Sequence, residues 1–264
     1  MANIRFSFSG VRIRAGTHKE AGQCAIAIIT AGAKQRPGES RTDLLQRNLH
    51  ILRSAIGDMK PFHEDTVLLL VANPVDVLTY FAHEMSGLPR EQVIGSGTFL
   101  DSARLRGILA RKLDLDSSSI HAYVVGEHGD SQLVAWSTIT VGAVPLDDEL
   151  RRRSITIDRK AVAEETRDKA AKIIQAKGAT AYGIGRVAAV LCKSIMFDER
   201  KVRPVSQWNE EFKCCLSLPV VLGRKGVVRD LSISLSQEEK ALLEKSAETL
   251  RGLIALGTET AETT

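Results

Sequence analysis

The chain has 264 residues, 44% hydrophobic and 26% charged, with a formal net charge of +4. That length can bury a substantial core in one or two domains, and its interspersed charges, without a Lys/Arg stripe beside aromatics, exclude an obvious nucleic-acid surface. The longest apolar run, residues 66–73, is too short to span a bilayer, and the four cysteines show no metal-ligand spacing, so a cytoplasmic protein with reduced thiols and no metal is expected.

Residues 1–19 carry Arg5, Arg12, Arg14 and Lys19 before the first acid, and the alternation over 11–14 suits a strand. Residues 25–31 form a short apolar run that ends at Gly32, as a buried parallel strand would. A polar loop, 34–41, leads to a helical pattern at Leu44, Leu45, Leu49, Leu52 and Ile56. Residues 66–72 read as a second buried strand closing on Asn73-Pro74, and the proline suits the start of a helix that ends at about Ser86, before Gly87. A third strand over 92–96 leads into a helix carrying Asp101. The pattern thus alternates strand and helix, as in half of a doubly wound α/β fold. From Ile120 the pattern changes to antiparallel alternation over 120–125 and 131–144. Helices follow over 158–177 and 178–196, then strands over 202–208 and 214–222. Residues 236–256 form a closing helix that opens on Ser236 and Glu239, a capping box. The expected division is 1–118 and 119–264, the second part α+β.

Two stretches bear chemistry. In the first, Asp101 and Arg104 stand three apart and share a helix face. In the second, glycines flank a turn that holds up His128. Histidine titrates nearest neutrality, a carboxylate can fix its tautomer, and an arginine can grip a carboxylate bidentately. Together they would make an acid–base centre beside a carboxylate anchor.

On these residues the chain resembles the lactate/malate dehydrogenase family, over about residues 11–256. The resemblance implies an NAD-dependent oxidoreductase moving hydride between NADH and a small 2-oxo acid. It makes His128 the acid–base group, Asp101 its partner, and Arg41 the residue that polarises the ketone. Arg104, Asn73 and Thr180 would contact substrate. Gly32, Ala33, Ser54, Val71, Ala72, Asn73 and Ser96 would face the cofactor. Gln35 would set specificity: an arginine there would suit a second carboxylate, whereas neutral glutamine favours pyruvate and lactate. The resemblance also implies a homo-oligomer, dimer or tetramer.

The family's Gly-x-Gly-x-x-Gly turn and the strand before it have no counterpart here. The near match over 183–188 follows helical sequence and reads as helix packing. An incomplete doubly wound (Rossmann) sheet is therefore expected, lacking its first βαβ half and leaving 25–29 as an apolar edge. A second reading follows, a silent family member acting as an interaction subunit; a malate or other 2-hydroxy acid enzyme is the remaining alternative. Finally, Arg106 lies about 200° round the helix from Arg104, and His121 stands an odd seven residues before His128. Both should face away from the centre, forming a basic patch that could bind an anion.

Overall fold

The computed structural model describes residues 12–33, 38, 40–177 and 181–259. Arg12 to Thr17 are irregular rather than a strand, and they lead to a short helix, α1 (His18–Ala21), opened by a Thr17–Glu20 capping box. Then come β1 (Ile26–Ile29), α2 (Arg41–Met59), β2 (Val67–Leu70), α3 (Val75–Ser86), β3 (Val93–Gly95) and α4 (Phe99–Leu113). Short strands β4 (Ile120–His121), β5 (Val124–Val125), β6 (Leu133–Val134), β7 (Thr140–Val141) and β8 (Val144–Pro145) precede α5 (Leu146–Arg153), α6 (Arg159–Lys177) and α7 (Tyr182–Met196). The chain continues through β9 (Lys201–Asn209), β10 (Cys214–Gly223), β11 (Gly226–Asp230) and α8 (Gln237–Glu259).

One six-stranded sheet, ordered β1-β2-β3-β9-β10-β11, is the frame. The first three strands run parallel, and β9 joins β3 antiparallel through Gly95 and Ser206. The sheet therefore takes strands from both sides of residue 118. Its centre explains the unbroken apolar run of β2: Leu68 and Leu70 enter one core with Leu45, Leu49 and Leu52 of α2. Val67 and Leu69 point oppositely, into a core with Leu191 and Ile195 of α7. A strand buried on both faces cannot alternate polar and apolar. Among the described residues β1 is an edge of this sheet, with Ile28 42% exposed.

The antiparallel strands expected over 120–144 are five two-residue pieces in two small sheets. They pack on α4 through Leu105, Ile108 and Leu109, with Val162 of α6. Helix α8 opens on the expected box: Glu239 N–H donates to Ser236 Oγ at 3.2 Å, and Ser236 N–H to Glu239 Oε2 at 2.8 Å. Cys214 and Cys215 are buried, Cys192 half-buried and Cys24 exposed, all of them free thiols. No helix among the described residues is long and apolar enough to cross a membrane.

Candidate active site

The site forms where α4 and the β5–β6 turn meet above the sheet. Helix α4 is clipped onto β5: Thr98 Oγ1 donates to Val124 O at 2.6 Å, and Val124 N–H to Ser102 Oγ at 2.9 Å. This fixes Asp101, in the helix's first turn, where the dipole favours an acid. Asp101 is 1% exposed and serves two cations. Its Oδ2 lies 2.6 Å from His128 Nδ1, and its Oδ1 accepts from Arg104 Nη1 at 3.0 Å. A carboxylate can only accept, so Nδ1 carries the proton and Nε2 is left for substrate.

His128 sits in a tightly braced turn. Gly126 has φ +85°, and a Cβ there would lie 2.7 Å from Ser246 Oγ, which is why glycine holds the position. Ser246 of α8 accepts from Glu127 N–H at 2.8 Å, and Glu127 Oε2 accepts from Ser131 N–H at 3.1 Å. Below the turn, Asp76 Oδ2 accepts from His128 N–H at 2.7 Å. Burial opposes a charged His128, but the hydrogen bond and charge of Asp101, with the charge of Asp76, outweigh it and raise the pKa above 6.5. Burial likewise pushes Asp76 up to about 6, against the hydrogen bond from the His128 N–H.

Asp76 and the Glu127–Ser131–Ser246 brace are absent from the sequence reading. The available signal for Asp76 was a charge set among Val75, Val77 and Leu78 on a helix face that is otherwise core. Through Asp76 the carboxyl end of β2 is joined to the histidine, because Asn73 stands just before it at the start of α3. Gly32, Ala33 and Ala72 lie at the same edge; a Cβ on Gly32 would come within 3.1 Å of Ala72 Cβ. Half-buried Val71 continues β2, its N–H donating to Ile29 O.

The remaining expected site residues differ in where they stand. Ser96 is buried past β3, its N–H on Leu70 O, and Ser54 is exposed on α2, about 9 Å along the axis from Asn48. Gln35, Thr180 and the Arg41 side chain lie outside the described residues; the Arg41 backbone opens α2 after the Ser40 cap. Gly183 and Gly185 lie inside α7, Gly183 facing Leu100, which is helix packing. Arg106 and His121 share a separate cavity of about 390 Å³ with Lys201 and Arg203. Arg106 is half-buried with Nη1 on Ala122 O, and burial lowers its pKa.

Two family models match the chain: the lactate/malate dehydrogenase NAD-binding domain over residues 3–95, and the α/β C-terminal domain of the same family over 98–261. The chain belongs to the lactate/malate dehydrogenase family. L-lactate dehydrogenase A of Rhizopus oryzae is 48% identical over 94% of this chain and 77% of that protein. The L-lactate dehydrogenase of Thermus aquaticus is 43% identical over 92% of this chain and 80% of its own length. The crystal structure of a lactate dehydrogenase enzyme from a Medee basin deep-sea metagenome library has a TM-score of 0.87 at 36% identity, covering 93% of this chain and 80% of that one. The NAD-binding model is matched from residue 3 onward, so the expectation that this family domain lacks its first half is not supported. NAD is the cofactor of this domain, and the small residues Gly32, Ala33 and Ala72 are compatible with a group approaching this edge, where a Cβ on Gly32 would crowd Ala72.

Proposed function

We propose that the chain is an L-lactate dehydrogenase, interconverting pyruvate and lactate with NAD. The observation that carries this reading is the single buried carboxylate of Asp101 holding both His128 and Arg104. Bound NADH supplies a hydride to the carbonyl carbon. Everything else falls to this chain's side chains. His128 Nε2 gives its proton to the developing alkoxide and takes it back in the oxidation direction. General acid–base help of this kind contributes about 10²–10⁴-fold. Arg104, half-buried and turned toward His128 by Asp101, grips the substrate carboxylate in a bidentate pair. Arg41 donates to the ketone oxygen, a hydrogen bond that supplies about 3–4 kcal/mol in a dry site. Asn73 and Thr180 complete the pocket, and neutral Gln35 selects a methyl over a second carboxylate. Gly32, Ala33, Val71, Ala72, Asn73 and Ser96 form the cofactor edge, with Ser54 further along α2. The division near residue 118 separates this edge from the histidine.

Arg106, His121, Lys201 and Arg203 form an anion site apart from the centre. Self-association is supported by α7, whose solvent face presents Tyr182, Met196 and the adjoining Phe197 at 93%, 55% and 71% exposure. A soluble cytoplasmic enzyme is the setting this reading supports. NADH absorbance, followed with purified chain and pyruvate or oxaloacetate, is the test. Turnover with preference for pyruvate is expected. No turnover, with NADH binding intact, would replace this reading with that of the silent subunit.

A further inference from the structure

Asn48 is a buried polar residue that the mechanism above leaves unused. It stands on α2 at 2% exposure, among leucines. Burying a carboxamide is costly unless it is hydrogen-bonded, and here the oxygen and the nitrogen each find a backbone partner. Oδ1 accepts from Ala33 N–H at 2.6 Å, and Nδ2 donates to Asn73 O at 3.1 Å. Strands β1 and β2 are paired in register from Ile26 and Val67 to Ile29 and Leu70. Past Val71, whose N–H still reaches Ile29 O, the two chains part. The Asn48 side chain spans the gap with one bond to each, taking the place of the next rung of the ladder. Gly32 is drawn into the same junction, since a Cβ there would meet Asn48 Oδ1 at 3.5 Å. Beside it lies a cavity of about 490 Å³ lined by Ala33, Gln46, Arg47, His50 and Ile51.

We infer that Asn48 is a positioning residue: it pins the backbone at Ala33, past the end of β1, and fixes the Asn73 backbone at the cofactor edge. Rotation of the peptide after Asn73 would swing the Asn73 side chain, and geometry lost at a reacting centre slows the reaction. The inference rests on the dehydrogenase reading for its kinetic consequence but not for its structural one, and two variants separate these.

Asn48→Leu keeps the volume and removes both bonds. Asn48→Asp keeps the acceptor for Ala33 N–H but sets a second oxygen against Asn73 O. When protonated, that oxygen becomes a donor and restores both bonds. The first readout is amide hydrogen exchange at Ala33 in the cofactor-free chain. It should quicken about tenfold in Asn48→Leu and stay near wild type in Asn48→Asp, as expected for one lost hydrogen bond. Asn48→Ser, too short to reach either partner, substitutes if the leucine variant does not fold. The second readout is the ratio of Asn48→Asp to wild-type kcat/KM for pyruvate. It should rise about tenfold from pH 8 to pH 5, while the Asn48→Leu ratio stays flat. The leucine control removes any contribution from Arg47 and His50, which border the junction. Unchanged Ala33 exchange in the leucine or serine variant overturns the tie itself. A flat Asn48→Asp ratio overturns its role at Asn73. If wild-type chain does not turn over, the dehydrogenase reading fails and the exchange measurement alone decides the tie.

Discussion

Replacing Asp101 by asparagine barely changes the side-chain volume and tests the centre directly. In the native chain the carboxylate accepts from two cationic partners, His128 at 2.6 Å and Arg104 at 3.0 Å. Arg104 can only donate, so in Asp101→Asn the single carboxamide oxygen must face it and the amide nitrogen then faces His128 Nδ1. The His128 bond is lost, and the Arg104 bond is left with a neutral acceptor in place of a carboxylate. At about 1 kcal/mol each, this removes about 2 kcal/mol, or roughly 30-fold in rate. The histidine is also held in the wrong tautomer, a fault that can bring the total loss to about 10⁴-fold. Both directions must suffer alike, because a variant cannot move the reaction's equilibrium. The pH dependence carries the sign. Pyruvate reduction needs protonated His128, so activity falls as pH rises through its pKa, which Asp101 raises against the cost of burial. Without that carboxylate the midpoint should move to lower pH. The assay is kcat/KM for pyruvate against pH, with saturating NADH. A loss of less than about threefold, or an unmoved midpoint, would refute the reasoning.

Three further outcomes are expected. Gln35→Arg should move the kcat/KM ratio from pyruvate toward oxaloacetate by about 100-fold, since an unpaired charge in the pocket costs about 3–5 kcal/mol; an unchanged ratio removes Gln35 from the specificity argument. Inorganic phosphate should bind in the Arg106, His121, Lys201 and Arg203 cavity, read by calorimetric titration, and binding that survives Arg106→Gln rules Arg106 out. Gly126→Ala should lower stability by about 1–3 kcal/mol, because φ is +85° and the added Cβ would lie 2.7 Å from Ser246 Oγ; thermal melts at one pH check this.

What the sequence disclosed depended on whether the signal was local. The Asp101–Arg104 spacing lies on one helix face, and Gly87 closes α3 with φ +74° as its position suggested. The Ser236–Glu239 box forms for the same reason. Pairings that cross the chain were not legible. Nothing in the run 202–208 shows that Ser206 will stand opposite Gly95, so the antiparallel completion of the sheet by β9 to β11 was hidden. The alternation over 11–14 was the opposite fault, a local pattern without a sheet to join: Arg12 to Arg14 are irregular and exposed, and no strand pairs with them among the described residues. The acid–base pair was legible as residue types, but its support was not. Asp76, Glu127 and Ser246 reach His128 or its turn from separations of 52, 4 and 119 residues in their respective hydrogen bonds.

Two buried carboxylates flank one histidine, and they divide the work by what they touch. Asp101 meets the ring and a guanidinium, so its charge is matched. Asp76 accepts from a backbone N–H at 2.7 Å rather than from a cationic side chain, and it is 2% exposed. Held at about 6 rather than its ordinary 3.8, the Asp76 carboxyl carries an ionisation penalty of about 3 kcal/mol in the folded chain. The sign follows from proton uptake. Between those two pH values the folded state holds a proton that the unfolded state has released, so stability falls as pH rises through about 6 and is fully recovered below 3.8. An asparagine in place of Asp76 would keep an acceptor for the His128 N–H and has nothing to titrate. The unfolding free energy of wild type minus that of Asp76→Asn should therefore climb by about 2 kcal/mol from pH 7 to pH 4. Urea melts across that range measure it, and a pH-independent difference would show that Asp76 ionises freely in the fold. Its ionised form also raises the pKa of His128, so the same variant should lower the pH midpoint of pyruvate reduction while leaving the Asp101 hydrogen bond intact.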